Sequence, residues 1–414
     1  METSSLATKQ HCVVVGGGPA GLMAAEIVAR QGHRVTLLER MGQTGRKFLM
    51  AGRGGLNLTH SEPLDLLLAR YQSGPWLDAA IRDFSPDALR AFATDLGQPS
   101  FVGSSGRVFP QAMKSSPMLR AWLTRLGTLG VNVQIRHDVV GLDANLVLHC
   151  RMSDGTARQI AADAVVLAMG GASWPKLGAN GNFIALLQSH GVDMAPLEAA
   201  NCGLLLAWSV LFSSRFAGSV LKNITLQAGE TKVRGEIVIT ATGLEGGPVY
   251  ALGPSLRAAL RDHAPYPLIL DLRPDLSLTQ LTERLTRTSS KATTANMLRK
   301  AGFSPLAQAL LRETTGSLLT LPAATLAALA KQVPLNVIAM AGLEKAISTA
   351  GGVKSAAFND DLMLNALPGV FVAGEMLDWD APTGGYLLQA CFATGNKAGQ
   401  SAARWLNARV QPLA

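Results

Sequence analysis

Cysteine is scarce in this chain. The four present, Cys12, Cys150, Cys202 and Cys391, lie far apart and form no C-x-x-C pair. That spacing excludes a disulfide-stapled scaffold and a zinc knuckle, and it suits a reducing compartment. Long apolar runs are lacking as well; none reaches the roughly 18 uninterrupted residues a membrane-spanning helix needs. The opening METSSLATKQ holds no apolar core of the secretory-signal kind. A cytoplasmic protein without membrane association is therefore expected. Blocks of like charge are missing too. Lys and Arg number 37 against 29 Asp and Glu, a surplus of +8, but it is scattered without a run of five. A scattered surplus suits an ordinary basic enzyme better than a nucleic-acid binder. With 48% apolar and only 16% charged residues, a disordered chain is excluded.

Glycine, by contrast, is plentiful at 42 of 414, above the usual share of about 7%. It clusters where chemistry is expected. Residues 11–16 (HCVVVG) read as a buried parallel strand, Pro19–Arg30 as a helix, and 34–39 (RVTLLE) as a second strand. Residues 41–60 are too irregular for one element. Helices are expected over Ser85–Leu96, behind a good cap, and Ser116–Gly130. Residues 131–168 (VNVQIR, NLVLHC, ADAVVLA) suggest an antiparallel meander. Beyond about 190 the texture changes: short strands to 250, then mainly helices over 275–348, including Ser304–Leu311, Ala323–Lys331 and one from Asn336. From 351 the first texture returns, with a strand at Gly369–Ala373 and a long helix from about Gly385 to Asn407. The expected domains are 1–190 plus 351–414, with 191–274 (β-rich) and 275–350 (helical) inserted.

Gly16-x-Gly18-x-x-Gly21 sits between the first strand and the first helix, where a dinucleotide site needs it. Gly16 permits the turn, Gly18 lets backbone approach a pyrophosphate, and Gly21 allows close packing of helix on strand. Pro19 and Ala20 open the helix whose N-terminus favours an anion. Glu39, followed by Arg40, ends the second strand about twenty residues on, where a carboxylate accepts from ribose hydroxyls. Its acid disfavours a 2′-phosphate, so FAD or NAD is expected there. Two further segments resemble FAD-site strands of two-dinucleotide-domain flavoproteins. Ala164–Gly171 is a buried strand ending around Ala168 and Gly170, and Pro368–Glu375 runs into a turn at Gly374 and Glu375. The stretch that follows places Gly384, Gly385 and Leu387 at a helix start. Turns at opposite ends of the chain call for a ligand about as long as FAD.

These pieces carry a resemblance. VVVGGGPAG, GRKFLMAGRGGLNLTH (45–60), AMGGASWPKLGANG (168–181), GEIVITATGLEGGPVYAL (235–252), GGVKSAAF (351–358) and PGVFVAGEMLDWDAPTGGYLLQACFATGNKAG (368–399) are similar to the BaiN-type, aminoacetone-oxidase-like bacterial flavoproteins. The resemblance implies an α/β fold: a Rossmann-like FAD-binding domain built from both chain ends, with an inserted β-barrel-like piece and a helical piece. It also implies FAD-dependent oxidoreductase chemistry on a small organic substrate, in either the oxidase or the reductase direction. NAD(P)H, if used as a transient electron donor, would dock without a fingerprint of its own. Two other readings stay open, a flavin-dependent RNA-modifying enzyme and a protein that holds FAD without turnover.

The chain departs from the family at one loop. Gly52-Arg53-Gly54-Gly55-Leu56-Asn57 stands where the family has Gly-Gly-Gly-Arg-Cys-Asn, so Leu56 takes the Cys place and Asn57 is kept. Lys47 and Arg53 are candidates for the FAD phosphates or a substrate acid, and Asn57 for the polar edge of the flavin ring. His60, Trp174, Trp379, Tyr386, Asp378 and Asp380 adjoin these motifs, but each also suits packing or a turn. No catalytic base, thiol or metal site is assigned, since a flavin carries its own redox chemistry.

Overall fold

The computed structural model describes residues 9–52, 54–287, 293–318 and 321–410. It divides into two compact units, one from the residues up to Glu198 together with those from Ser348 on, the other Ala199–Ile347.

The first unit is organised by a five-stranded parallel sheet in the order Val370–Val372, Ala164–Leu167, His11–Val15, Arg34–Glu39, Asn132–Ile135. His11–Val15 is buried along its whole length, as expected for a parallel strand covered on both faces. The helix Pro19–Arg30 packs on the long helix Tyr386–Val410. Small residues make this crossing close: a Cβ on Gly395 would lie 2.3 Å from the carbonyl oxygen of Ala20, and one on Gly399 2.9 Å from Cα of Ala24. Helix Pro86–Asp95 starts as its sequence suggests, with the Ser85 hydroxyl accepting from the amide of Ala88.

The meander expected over 131–168 needs correction. Asn132–Ile135 and Ala164–Leu167 are parallel strands of the main sheet. Only the stretch between them is antiparallel, as His137–Leu142, Val147–Met152 and Ala157–Ala161. The edge strand Asn132–Ile135 is half-exposed, so its composition resembles a one-sided antiparallel strand.

In the second unit a seven-stranded sheet runs in the order Val333–Val337, Tyr266–Asp271, Val220–Ala228, Thr231–Thr240, Gly243–Glu245, Leu204–Leu205, Ala339–Met340. The strands at its two edges are separated in sequence by Ile338 alone, so the edges meet and the sheet closes like a barrel. Its core is shared with the helices: Leu226, Ile237 and Leu268 belong to the same apolar cluster as Leu281, Leu310 and Ala327. The helix expected from Asn336 is a strand. Val333, Leu335 and Val337 point inward while Pro334 and Asn336 face solvent, a period of two that decides for strand.

Candidate dinucleotide site

At the carboxyl ends of the parallel strands lies a cleft that opens to solvent. Its floor is the turn after His11–Val15. Gly16 adopts φ +106°, and a Cβ there would sit 2.2 Å from the carbonyl oxygen of Ala168. The turn is pinned by Gly16 N donating to Leu38 O at 2.8 Å. Gly21 is packed still more tightly, with room for a Cβ only 1.9 Å from the carbonyl oxygen of Gly16. Gly18 is the opposite case: a Cβ there would meet no atom within 4 Å. The helix beginning at Pro19 has no side-chain cap, so its first-turn amides lack intrahelical partners.

Glu39 closes one end. Its Oε2 accepts from Gly17 N at 2.9 Å and its Oε1 from Met41 N at 2.8 Å. Burial raises its carboxyl above the usual range, against those two amides and the nearby Arg40. Arg40 Nη2 donates to the carbonyl of Gly178 at 3.0 Å, and Arg46 Nη2 reaches that of Lys176. In both arginines the Nε is buried and has no partner among the described residues.

At the other end Lys47 and Glu375 form an ion pair. Lys47 Nζ lies 2.6 and 2.9 Å from the two carboxylate oxygens and also donates to Ser173 Oγ. Glu375 in turn accepts from Thr349 N at 3.1 Å and Gly171 N at 3.4 Å. Gly374 turns with φ +81° and donates its amide to Thr394 Oγ1.

Of the residues singled out in the sequence, Gly16, Gly18, Pro19, Ala20, Glu39, Arg40, Lys47, Ala168, Gly170, Gly374 and Glu375 all line this one cleft. Gly21 lies behind it as packing. Gly385 is placed elsewhere, against the backbone of Thr59, and Gly384 lies beside Arg107. Leu387 is half-buried in the first turn of the terminal helix. Asn57, in the loop leading to Thr59, has its Oδ1 buried and without a partner among the described residues. Arg53 lies outside the described residues. Leu56 is fully buried in the core; at the place of the family's Cys, this chain puts a packing residue.

Sequence reasoning missed Arg46, which has no glycine motif to flag it, and His137–Val139, which reach the cleft from the antiparallel sheet. Two of the three aromatic candidates pack in the core, while Trp174 is half-buried with φ +56°. Trp379 is buried, its indole donating to Gly374 O at 3.0 Å. Tyr386 stacks on His60, and its hydroxyl donates a hydrogen bond to Glu62. Cys391 lines the cleft, where burial, and then the Glu375 charge, push its thiol up to about 12. Among the described residues no cluster of His, Cys, Asp or Glu could hold a metal ion. Nor, among the described residues, is any helix long and apolar enough to cross a membrane.

A family model described as the HI0933-like protein Rossmann domain matches residues 10–401. The chain belongs to the HI0933-like Rossmann family. Among similar proteins, the 3-dehydro-bile acid delta(4,6)-reductase of Clostridium scindens is 26% identical over 407 residues, spanning 94% of this chain and 98% of that protein. The ribosomal RNA dihydrouridine synthase of Escherichia coli is 23% identical over 245 residues, 57% of this chain and 58% of that one. Among solved structures, a flavocytochrome c3 fumarate reductase in its open conformation superposes with a TM-score of 0.51 at 16% identity. That match spans 96% of this chain and 78% of the other. The HI0933-like chain described here thus carries the fold of FAD-binding oxidoreductases.

Proposed function

We propose that this chain is an FAD-dependent oxidoreductase acting on a small organic substrate. One observation carries the reading: Gly16, Gly18 and Glu39 from one end of the sequence and Gly374 and Glu375 from the other line the same cleft. A site built from both fingerprints suits a dinucleotide, whereas a mononucleotide needs one.

The residues present fit FAD. The open space at Gly18 and the uncapped first turn suit a pyrophosphate, and the two unpartnered arginine Nε groups add donors beside it. Glu39 retains lone pairs for the ribose hydroxyls. Lys47 answers Glu375, so in this reading the pair bridges the loops that frame the flavin portion instead of neutralising phosphate. The orphaned Asn57 Oδ1 awaits an N–H donor of the kind a flavin ring edge presents, with Gly384, Gly385 and Leu387 alongside. Arg53 keeps its proposed part as a phosphate or substrate-acid ligand. When bound, FAD supplies hydride or electron transfer; the protein binds, orients and shields it.

The small-molecule reading is supported over RNA modification by extent of likeness, 94% of the chain for the bile acid reductase against 57% for the RNA enzyme. NAD(P)H is proposed as a transient donor. The test is to denature the purified protein, identify the flavin, then mix the native holoprotein with NADH or NADPH and reoxidise it in air. FAD that cycles supports the reading. FMN, or no flavin in folded protein, refutes the cofactor, and FAD that no donor reduces points to holding without turnover.

A further inference from the structure

Within the unit Ala199–Ile347, three arginines line one hollow of ≈ 420 Å³ that opens to solvent. They come from three different helices: Arg215 from Val210–Phe216, Arg299 from Thr294–Lys300 and Arg312 from Pro305–Thr315. Among the described residues no carboxylate lines the hollow. Glu313, next to Arg312 in sequence, is engaged instead by the amide and hydroxyl of Ser209. Arg299 has only the neutral Asn296 Oδ1, at 2.7 Å, and Arg215 lies over the ring of Phe216, 5.3 Å from its centroid. Among the described residues neither Arg215 nor Arg312 has a hydrogen-bonding or ionic partner for its guanidinium.

Several arginines elsewhere in the molecule are treated differently. Arg70, Arg82, Arg125, Arg151, Arg234 and Arg404 each meet a carboxylate. Three like charges left to face one another repel, and an anion between them relieves that repulsion. A guanidinium fork matches phosphate oxygens two at a time. The remaining wall is mixed: Phe216, Pro305 and Ala309 share it with the polar side chains of Thr293, Asn296 and Gln308, and the hollow is larger than a phosphate alone would fill. From this we infer that the hollow binds a phosphate-bearing small molecule of nucleotide size, its phosphates on Arg215, Arg299 and Arg312 and its body against Phe216 and Ala309. The site is independent of the proposed flavin chemistry.

The experiment titrates ADP, inorganic pyrophosphate and adenosine into the purified full-length protein, loaded with FAD so that the dinucleotide cleft is taken, by isothermal calorimetry. ADP and pyrophosphate should bind, with adenosine at least tenfold weaker. In the double variant Arg215→Ala/Arg312→Ala, ADP affinity should fall at least tenfold while FAD content and melting temperature stay at their original values. Both arginines are exposed, so their loss leaves no core void. The assignment is overturned if ADP does not bind, if adenosine binds as well as ADP, or if the variant binds ADP unchanged. It is overturned equally if FAD content falls with the arginines, or if a single-stranded RNA 20-mer is the only probe that binds the unaltered protein.

Discussion

The two units treat their sheets in opposite ways. In the first unit the parallel strands all end on one side, and the turns after His11–Val15 and Ala164–Leu167, with the start of the helix at Pro19, gather there. In the second unit the antiparallel sheet uses its edges on itself, closing through Ile338, and its successive strands end on alternate sides. A parallel sheet concentrates backbone amides and helix starts at one rim, which is what a charged dinucleotide requires. An antiparallel sheet gathers no such rim; its polar side chains, Lys232, Arg234 and Asp271 among them, are spread along the strands.

Both units nevertheless depend on glycines that hold two backbones in contact, and substitution there should separate them. Gly21→Val puts side-chain atoms where even a Cβ lies 1.9 Å from Gly16 O, and Gly243→Val does the same at 1.7 Å from Leu204 O. Each should cost on the order of 3 kcal/mol or more, the upper end for overpacking. Gly21→Val should lower the melting transition and remove FAD together, whereas Gly243→Val should lower the transition and leave FAD in whatever protein remains folded. Calorimetry with flavin absorbance on the same samples checks this, and equal flavin loss in both would show that the units do not behave separately.

Gly18→Val sharpens the comparison within the first unit. Open space surrounds Gly18 in the protein, so the added methyls strain no protein contact and instead fill the room left for pyrophosphate. FAD affinity should drop at least tenfold with melting of the apoprotein unchanged. Full flavin occupancy in that variant would make the turn merely structural.

The smallest effect is expected at the thiols. Cys12 and Cys391 are both pushed up to about 12, burial being the main cause, so at neutral pH neither supplies a thiolate. Replacing all four cysteines by Ser should leave the rate of flavin reduction within about twofold. A fall of more than about tenfold, roughly 1.4 kcal/mol in barrier, with FAD still bound would bring a thiol into the reaction.

Much of the first unit was legible because its signals are local. Pro19–Arg30 and Arg34–Glu39 have the bounds read from sequence, since a glycine turn, Pro at the first helical position and a β-branched run each act within a few residues. The gathering of Gly16, Glu39 and Glu375 in one cleft followed from motifs with a shared ligand. Illegible were features set by distant partners. Whether Asn132–Ile135 runs parallel depends on Arg34–Glu39 lying beside it, and nothing in VNVQIR encodes that neighbour. The pairing of Lys47 with Glu375 is likewise a matter of two loops meeting. Val333–Val337 was different: its alternation was present in the sequence, and the run of helices before it obscured the change of period.

The close crossing of Pro19–Arg30 with Tyr386–Val410 bears on how the protein is made. Until the ribosome has passed residue 399, the first helix has no surface on which to seat Ala20 and Ala24, and Ala164–Leu167 waits with an unpaired edge for Val370–Val372. The second unit lies wholly between these points and can finish folding while the first is still incomplete. A nascent chain stalled short of Val370–Val372 holds four of the five parallel strands and leaves the edge of Ala164–Leu167 open to another chain.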